Sequence, residues 1–167
     1  YKIIEAQGVK IGIVGFLTQY IPHWEKPSII KDLTFQSILT TAKDILPDLR
    51  QSVDLLIVAY HGGFERDLQT GLPTEGENEA YQLVEEYKDY IDALVTGHQH
   101  REIADHLFGV PVIQPGYRGA FVGEIELELD NHKKVVASNA RLHKTENCKV
   151  SSEVNQLISV VKKQRIG

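Results

Sequence analysis

Apolar positions along this chain come in short unbroken runs, and the later runs stop at glycine and histidine. Val9 to Phe16, Val53 to Tyr60 and Ile91 to Thr96 are almost wholly apolar, as strands covered on both faces are. Tyr1 to Ala6 leads into the first of them across a turn at Gln7-Gly8. Between the runs the spacing becomes helical. Ser37, Ile38, Ala42, Ile45, Leu46 and Leu49 recur on one face, and Pro47 predicts a kink or an end near Leu46. Glu79 to Lys88 predicts a second helix with Asn78 as its N-cap. Strand, helix, strand, helix, strand, joined by right-handed crossovers, gives a parallel sheet with helical cover.

After His100 the pattern changes. Ile103 to Phe108 and Val110 to Gln114 predict a hairpin around Gly109, followed by the glycine-rich loop Pro115-Gly116-Tyr117-Arg118-Gly119. Val122 to Asp130 alternates apolar and acidic residues, as a half-exposed antiparallel strand does. Glu124, Glu126 and Glu128 share its solvated face, with Lys133 and Lys134 expected as partners across the turn at Asn131-His132. Lys133 to Leu142 returns from that turn. Thr18 to Lys31, bracketed by Pro22 and Pro27, predicts a long ordered loop at the ligand-binding end of the sheet. The segment 1–145 contains no linker and reads as one continuous part of a domain. Segment 146–167, with Leu157, Ile158 and Val161 at helical spacing, reads as a connecting helix toward a further domain.

Composition narrows the picture. The 167 residues suffice for one domain with a core. A net charge of −5 argues against a surface that coats a nucleic-acid polymer. The lone Cys148 excludes an internal disulfide and a thiolate zinc site. No apolar run approaches the roughly 20 residues of a membrane span, and none of these residues is expected to form a signal peptide. The chain starts at Tyr1 and contains no methionine, so it is expected to be a piece of something longer, whose compartment it does not report.

The candidate chemistry sits at two strand ends. Asp54 to Gly63 runs acid, apolar strand, His61, Gly62-Gly63; Asp92 to His100 runs acid, apolar strand, Gly97-His98-Gln99-His100. In an extended segment residues two apart project to one side, so His98 and His100 are expected to face His61 if the strands are neighbours. Three neutral imidazoles suit a divalent cation, zinc included. The competing reading is that each histidine merely caps a strand. His106, His132 and His143 show no partner pattern, and Tyr60 reads as a supporting core residue.

Gly97-His98-Gln99-His100 and Tyr60-His61-Gly62-Gly63 resemble two motifs of the calcineurin-like metallophosphoesterases. The segments Gly76-Glu77-Asn78-Glu79, Gln114-Pro115-Gly116 and Val122-Gly123-Glu124-Ile125 resemble the branch of bacterial 5′-nucleotidases and 2′,3′-cyclic-nucleotide 2′-phosphodiesterases. The resemblance covers Tyr1 to Leu142. It implies an α/β fold, part of a four-layer α/β/β/α sandwich with a parallel or mixed sheet followed by antiparallel strands. It also implies metal-dependent hydrolysis of nucleotide phosphate esters by a dinuclear site. His61 and His98 resemble ligands of one metal and His100 a ligand of the other, with manganese, zinc, magnesium, iron and cobalt all open. Members are often periplasmic or cell-surface, some cytoplasmic.

The family's Asp-x-His, Gly-Asp and Gly-Asn-His motifs are absent from Tyr1 to Tyr60. Asp54 and Asp92 begin their strands, at the wrong end to replace them. The chain is therefore expected to hold the later half of the catalytic domain, to lack the general-acid residue, to require a missing N-terminal half, and to be inactive alone. Arg118 is a candidate for substrate phosphate, since guanidinium matches phosphate geometry; a solvated loop arginine is the alternative. Trp24 and His23 either line the entrance or pack their loop. Two other functions stay open: a single-zinc hydrolase using the three histidines, and a non-catalytic module that binds metal or a partner.

Overall fold

A computed structural model describes residues 1–74 and 76–164. Position 75 lies outside the described residues, as do 165–167 of the predicted connecting segment and the side chain of Val161. The elements in order are β1 (Lys2–Ala6), β2 (Val9–Leu17), α1 (Pro27–Ile30), α2 (Ile38–Ser52), β3 (Leu55–His61), α3 (Ala80–Tyr87), β4 (Ala93–Thr96), β5 (Glu102–Leu107), β6 (Val110–Pro115), β7 (Phe121–Leu129), β8 (Val135–Lys144) and α4 (Ser152–Gln164).

Six strands form one sheet in the order β1-β2-β3-β4-β6-β5. The inner four run parallel, and β1 and β5 pair antiparallel at the edges. β7 and β8 form a separate antiparallel hairpin. The apolar runs dictate this arrangement. Val14, Phe16, Leu56, Val58, Leu94 and Val112 are buried with Leu46 and Leu49 of α2 and Leu83 and Val84 of α3. The opposite face carries Ile57, Ala93, Val95 and Ile113, which meet Ile125 and Leu127 of β7 around a cavity of about 180 Å³. The two layers approach most closely at Gly123, where a Cβ would stand 2.8 Å from Ile113 Cδ1. A helix layer, a mixed sheet and an antiparallel hairpin are three of the four layers expected of the sandwich.

Four local expectations are corrected. First, α2 does not stop near Leu46 but runs through Pro47 to Ser52. Its last turns are held from outside the helix: Leu49 is buried, and Arg50 donates to Asp92 Oδ2 at 2.5 Å and to the carbonyl of Asp54 at 2.6 Å. Tertiary anchoring offsets the hydrogen bond that proline removes. Second, Asn78 does not cap α3. The cap comes from Glu65, whose carboxylate accepts the N–H groups of Tyr81 at 3.0 Å and Gln82 at 2.8 Å. Negative charge there also complements the helix dipole. Third, Thr18 to Lys31 contains a 3₁₀ turn at Ile21–His23 and the short α1. Fourth, the acidic face of β7 pairs with β8 rather than with the turn lysines. Glu124 and Glu126 meet His143 and Arg141, while Lys133 reaches Asp54 at 2.9 Å and the Gly8 carbonyl at 2.6 Å.

Candidate metal centre

The register of the parallel strands builds the site. Tyr60 on β3 lies opposite Thr96 on β4, so the next residues, His61 and Gly97, emerge side by side. Leu17 of β2 lies opposite His61 on its other flank. An open depression of about 510 Å³ at these strand ends is lined by Phe16, Leu17, Tyr60, His61, Thr96 and Gly97, among others. Asp54 and Asp92 stand at the other end of their strands, where Asp92 accepts from Arg50 and from the N–H of Leu56.

Both glycines after His61 are sterically required. A Cβ on Gly62 would lie 2.1 Å from the Tyr60 ring, and one on Gly63 would lie 2.0 Å from Gln99 Oε1. Gln99 fills that space because its amide pairs with the backbone of Phe64: Oε1 accepts the N–H and Nε2 donates to the carbonyl, both at 2.9 Å. The middle residue of Gly97-His98-Gln99-His100 thus clamps one histidine loop onto the other. A second, buried network holds the same loop from behind. Gln114 Nε2 donates to Thr96 Oγ1 at 3.0 Å, Thr96 Oγ1 donates to the Ile113 carbonyl at 3.0 Å, and Gln114 Oε1 accepts the Arg101 N–H at 2.8 Å. Burial also pushes the Tyr60 phenol up from its ordinary value, so it stays a neutral wall of the site.

The histidine pair is not extended. His98 and His100 both have positive φ, 64° and 58°, so the same-side projection expected of a strand is replaced by a tight turn. The His98 ring stands 5.3 Å from the His61 ring and 5.2 Å from Trp24. The exposed His100 ring instead stacks on Tyr117 at 5.2 Å, and the Arg118 guanidinium lies over the Tyr117 ring, 5.3 Å from its centroid. His61 and His98 are therefore brought together, while His100 and Arg118 share a second aromatic stack alongside. Trp24 packs on His98 rather than merely within its own loop.

Two imidazoles held by one tetrahedral cation at about 2.1 Å have ring centroids about 5 Å apart. The His61–His98 spacing fits that separation. One carboxylate joins them: Glu77 Oε1 meets His98 Nε2. Sequence reasoning took Glu77 only as part of a motif, and Gln99 and Gln114 as motif positions. The signal that marks Gln99 is its steric need for glycine at 63. Among the described residues, no group of three or more His, Cys, Asp and Glu side chains gathers tightly enough to form a ready ligand set.

A mixed α/β sandwich with two imidazoles brought together at adjacent parallel strand ends makes this place a candidate metal centre. Comparison with known proteins makes this specific. No family model matches the chain. A 2′,3′-cyclic-nucleotide 2′-phosphodiesterase/3′-nucleotidase of Salmonella typhimurium is 30% identical over 140 residues, which cover 75% of this chain and 21% of that protein. The crystal structure of a putative 5′-nucleotidase from Staphylococcus aureus matches 97% of this chain and 33% of its own, with TM-score 0.85 and 36% identity. A calcineurin-like phosphoesterase of Bacillus subtilis shares the fold, with TM-score 0.79 over 98% of this chain and 56% of its own, at 24% identity. The chain belongs to the calcineurin-like metallophosphoesterases, in the branch of 5′-nucleotidases and 2′,3′-cyclic-nucleotide phosphodiesterases. It spans about a fifth of the curated relative and a third of the solved nucleotidase.

Proposed function

We propose that this chain supplies the histidine wall of a dinuclear metal site that hydrolyses phosphate esters of nucleotides, with substrates of the 5′-nucleotide or 2′,3′-cyclic-nucleotide type. The observation that carries the reading is the 5.3 Å approach of His61 and His98 at adjacent strand ends, in a chain homologous to named nucleotidases. His61 and His98 would hold one divalent cation as neutral nitrogen donors. His100, on the far side of the turn, would hold the second. Arg118, carried beside His100 by the Tyr117 stack, would bind substrate phosphate in the bidentate manner of guanidinium. Two bound cations supply an activated water and neutralise charge on the phosphoryl oxygens.

The remaining ligands and the leaving-group acid are assigned to sequence outside this chain, because Tyr1 to Tyr60 lacks the Asp-x-His, Gly-Asp and Gly-Asn-His motifs and the relatives extend well beyond the matched segment. On this reading the chain alone hydrolyses bis-p-nitrophenyl phosphate no faster than a metal-only control. The protein translated from the whole reading frame hydrolyses it and 2′,3′-cyclic AMP in a chelator-sensitive manner. His98→Ala in that protein is expected to lower kcat/KM by about 10²- to 10³-fold, the scale of one lost transition-state contact. Wild-type turnover in His98→Ala would remove the metal assignment, and full turnover by the 167-residue chain would remove the division of the site between segments.

A further inference from the structure

The short segment from Glu77 to Glu79 is fixed at three points, each on a different part of the fold. The Glu77 carbonyl accepts the hydroxyl of Thr18 at 2.9 Å. Thr18 is 1% exposed, and its N–H donates to the carbonyl of His61 at 3.2 Å. Asn78 Oδ1 accepts the N–H of Gly63 at 2.6 Å. Glu79 accepts the Ser37 hydroxyl at 2.6 Å and the Ile38 N–H at 3.2 Å, at the start of α2. The backbone that carries Glu77 is thereby tied to the loop that follows β3, to the long loop that follows β2 and to the start of α2.

From that anchored backbone the Glu77 carboxylate reaches His98 Nε2, with both side chains about three-quarters buried. A flexible surface ion pair is worth little, but neither partner here is flexible. Trp24 lies 5.2 Å from the His98 ring, and Gln99 clamps the loop that bears it. A carboxylate can only accept a hydrogen bond, so it selects the imidazole form with the proton on Nε2. The lone pair is then left on Nδ1.

We propose that Glu77 is a positioning residue for His98: it fixes the ring and its Nε2–H form so that Nδ1 is the nitrogen offered to a divalent cation. The inference rests on the reading of His98 as a metal ligand. Carboxylates that hold the far nitrogen of a ligating histidine set its orientation and raise its basicity, and their loss weakens metal affinity about 10- to 100-fold.

The test uses the 167-residue chain labelled with ¹⁵N in histidine. Long-range ¹H–¹⁵N correlations at about pH 9, above the ordinary imidazole range, read the proton position without any metal. The wild type should show His98 in the Nε2–H form. Glu77→Ala should give a mixture of both forms, and Glu77→Gln, whose carbonyl still accepts, should restore the single form. Zn²⁺ titrated into the same samples should bind Glu77→Ala roughly 10- to 100-fold more weakly than wild type, with Glu77→Gln recovering most of the loss. A His98 proton on Nδ1 in the wild type, or a proton position unmoved in Glu77→Ala, overturns the positioning role whatever Zn²⁺ does. Zn²⁺ that leaves the His61 and His98 resonances of the wild type unmoved overturns the metal reading instead, with the hold of Glu77 on the ring still read from the proton position.

Discussion

Gln99 shows how a residue between two conspicuous ones can govern both. Its amide satisfies the N–H and carbonyl of Phe64, a residue with no exposed surface, and takes the space that a side chain at Gly63 would fill. Gln99→Leu removes both partners and is expected to destabilise the chain by about 2–4 kcal/mol, since each buried backbone group left unpaired costs about 1–3. Urea unfolding measures this, and a change below about 0.5 kcal/mol would contradict the clamp. Asp54 acts at the far end of the sheet. The Lys10 N–H, then the Lys133 ammonium, hold its carboxyl below the ordinary aspartate value. A lowered folded value gives stability that is present above the unfolded value, about 3.9, and is lost as pH falls through the folded one. Wild type should therefore exceed Asp54→Asn in stability at neutral pH, with the difference vanishing on acidification. A difference that grows in acid would have the wrong sign.

The elements were legible where one local signal decided them, and misread where distant contacts overrode it. Unbroken apolar runs identified β2, β3 and β4, because a strand buried on both faces admits no polar interruption. Pro47 predicted a kink or an end near Leu46, yet α2 runs on to Ser52, since Leu49 is buried and Arg50 is held by Asp92, 42 positions away in sequence. Asn78 has the chemistry of a cap, but Glu65 reaches α3 first from the preceding loop. A missing helix hydrogen bond and a ring clash still burden α2, so Pro47→Ala is expected to raise stability by about 1–3 kcal/mol. Thermal unfolding checks it; a lower melting temperature would show that the proline is built into the packing.

At the scale of the whole molecule, the site is a consequence of strand register. Parallel pairing of Tyr60 with Thr96 sets His61 beside Gly97-His98, and this pairing was foreseeable from two strands ending in the same residue types. The turn that separates His98 from His100 was not, because two positive φ values at histidine carry no sequence signal of their own. Nor was Glu77, whose approach to His98 depends on a loop tied by Thr18 and Gly63. The central claim, that His61 and His98 share a divalent cation, is tested most directly by adding Mn²⁺ to the ¹⁵N-labelled chain and mapping paramagnetic broadening. The account predicts broadening centred on His61, Gly97 and His98. Sharp resonances there, with broadening confined to the acidic face of Glu124, Glu126 and Glu128, would contradict it.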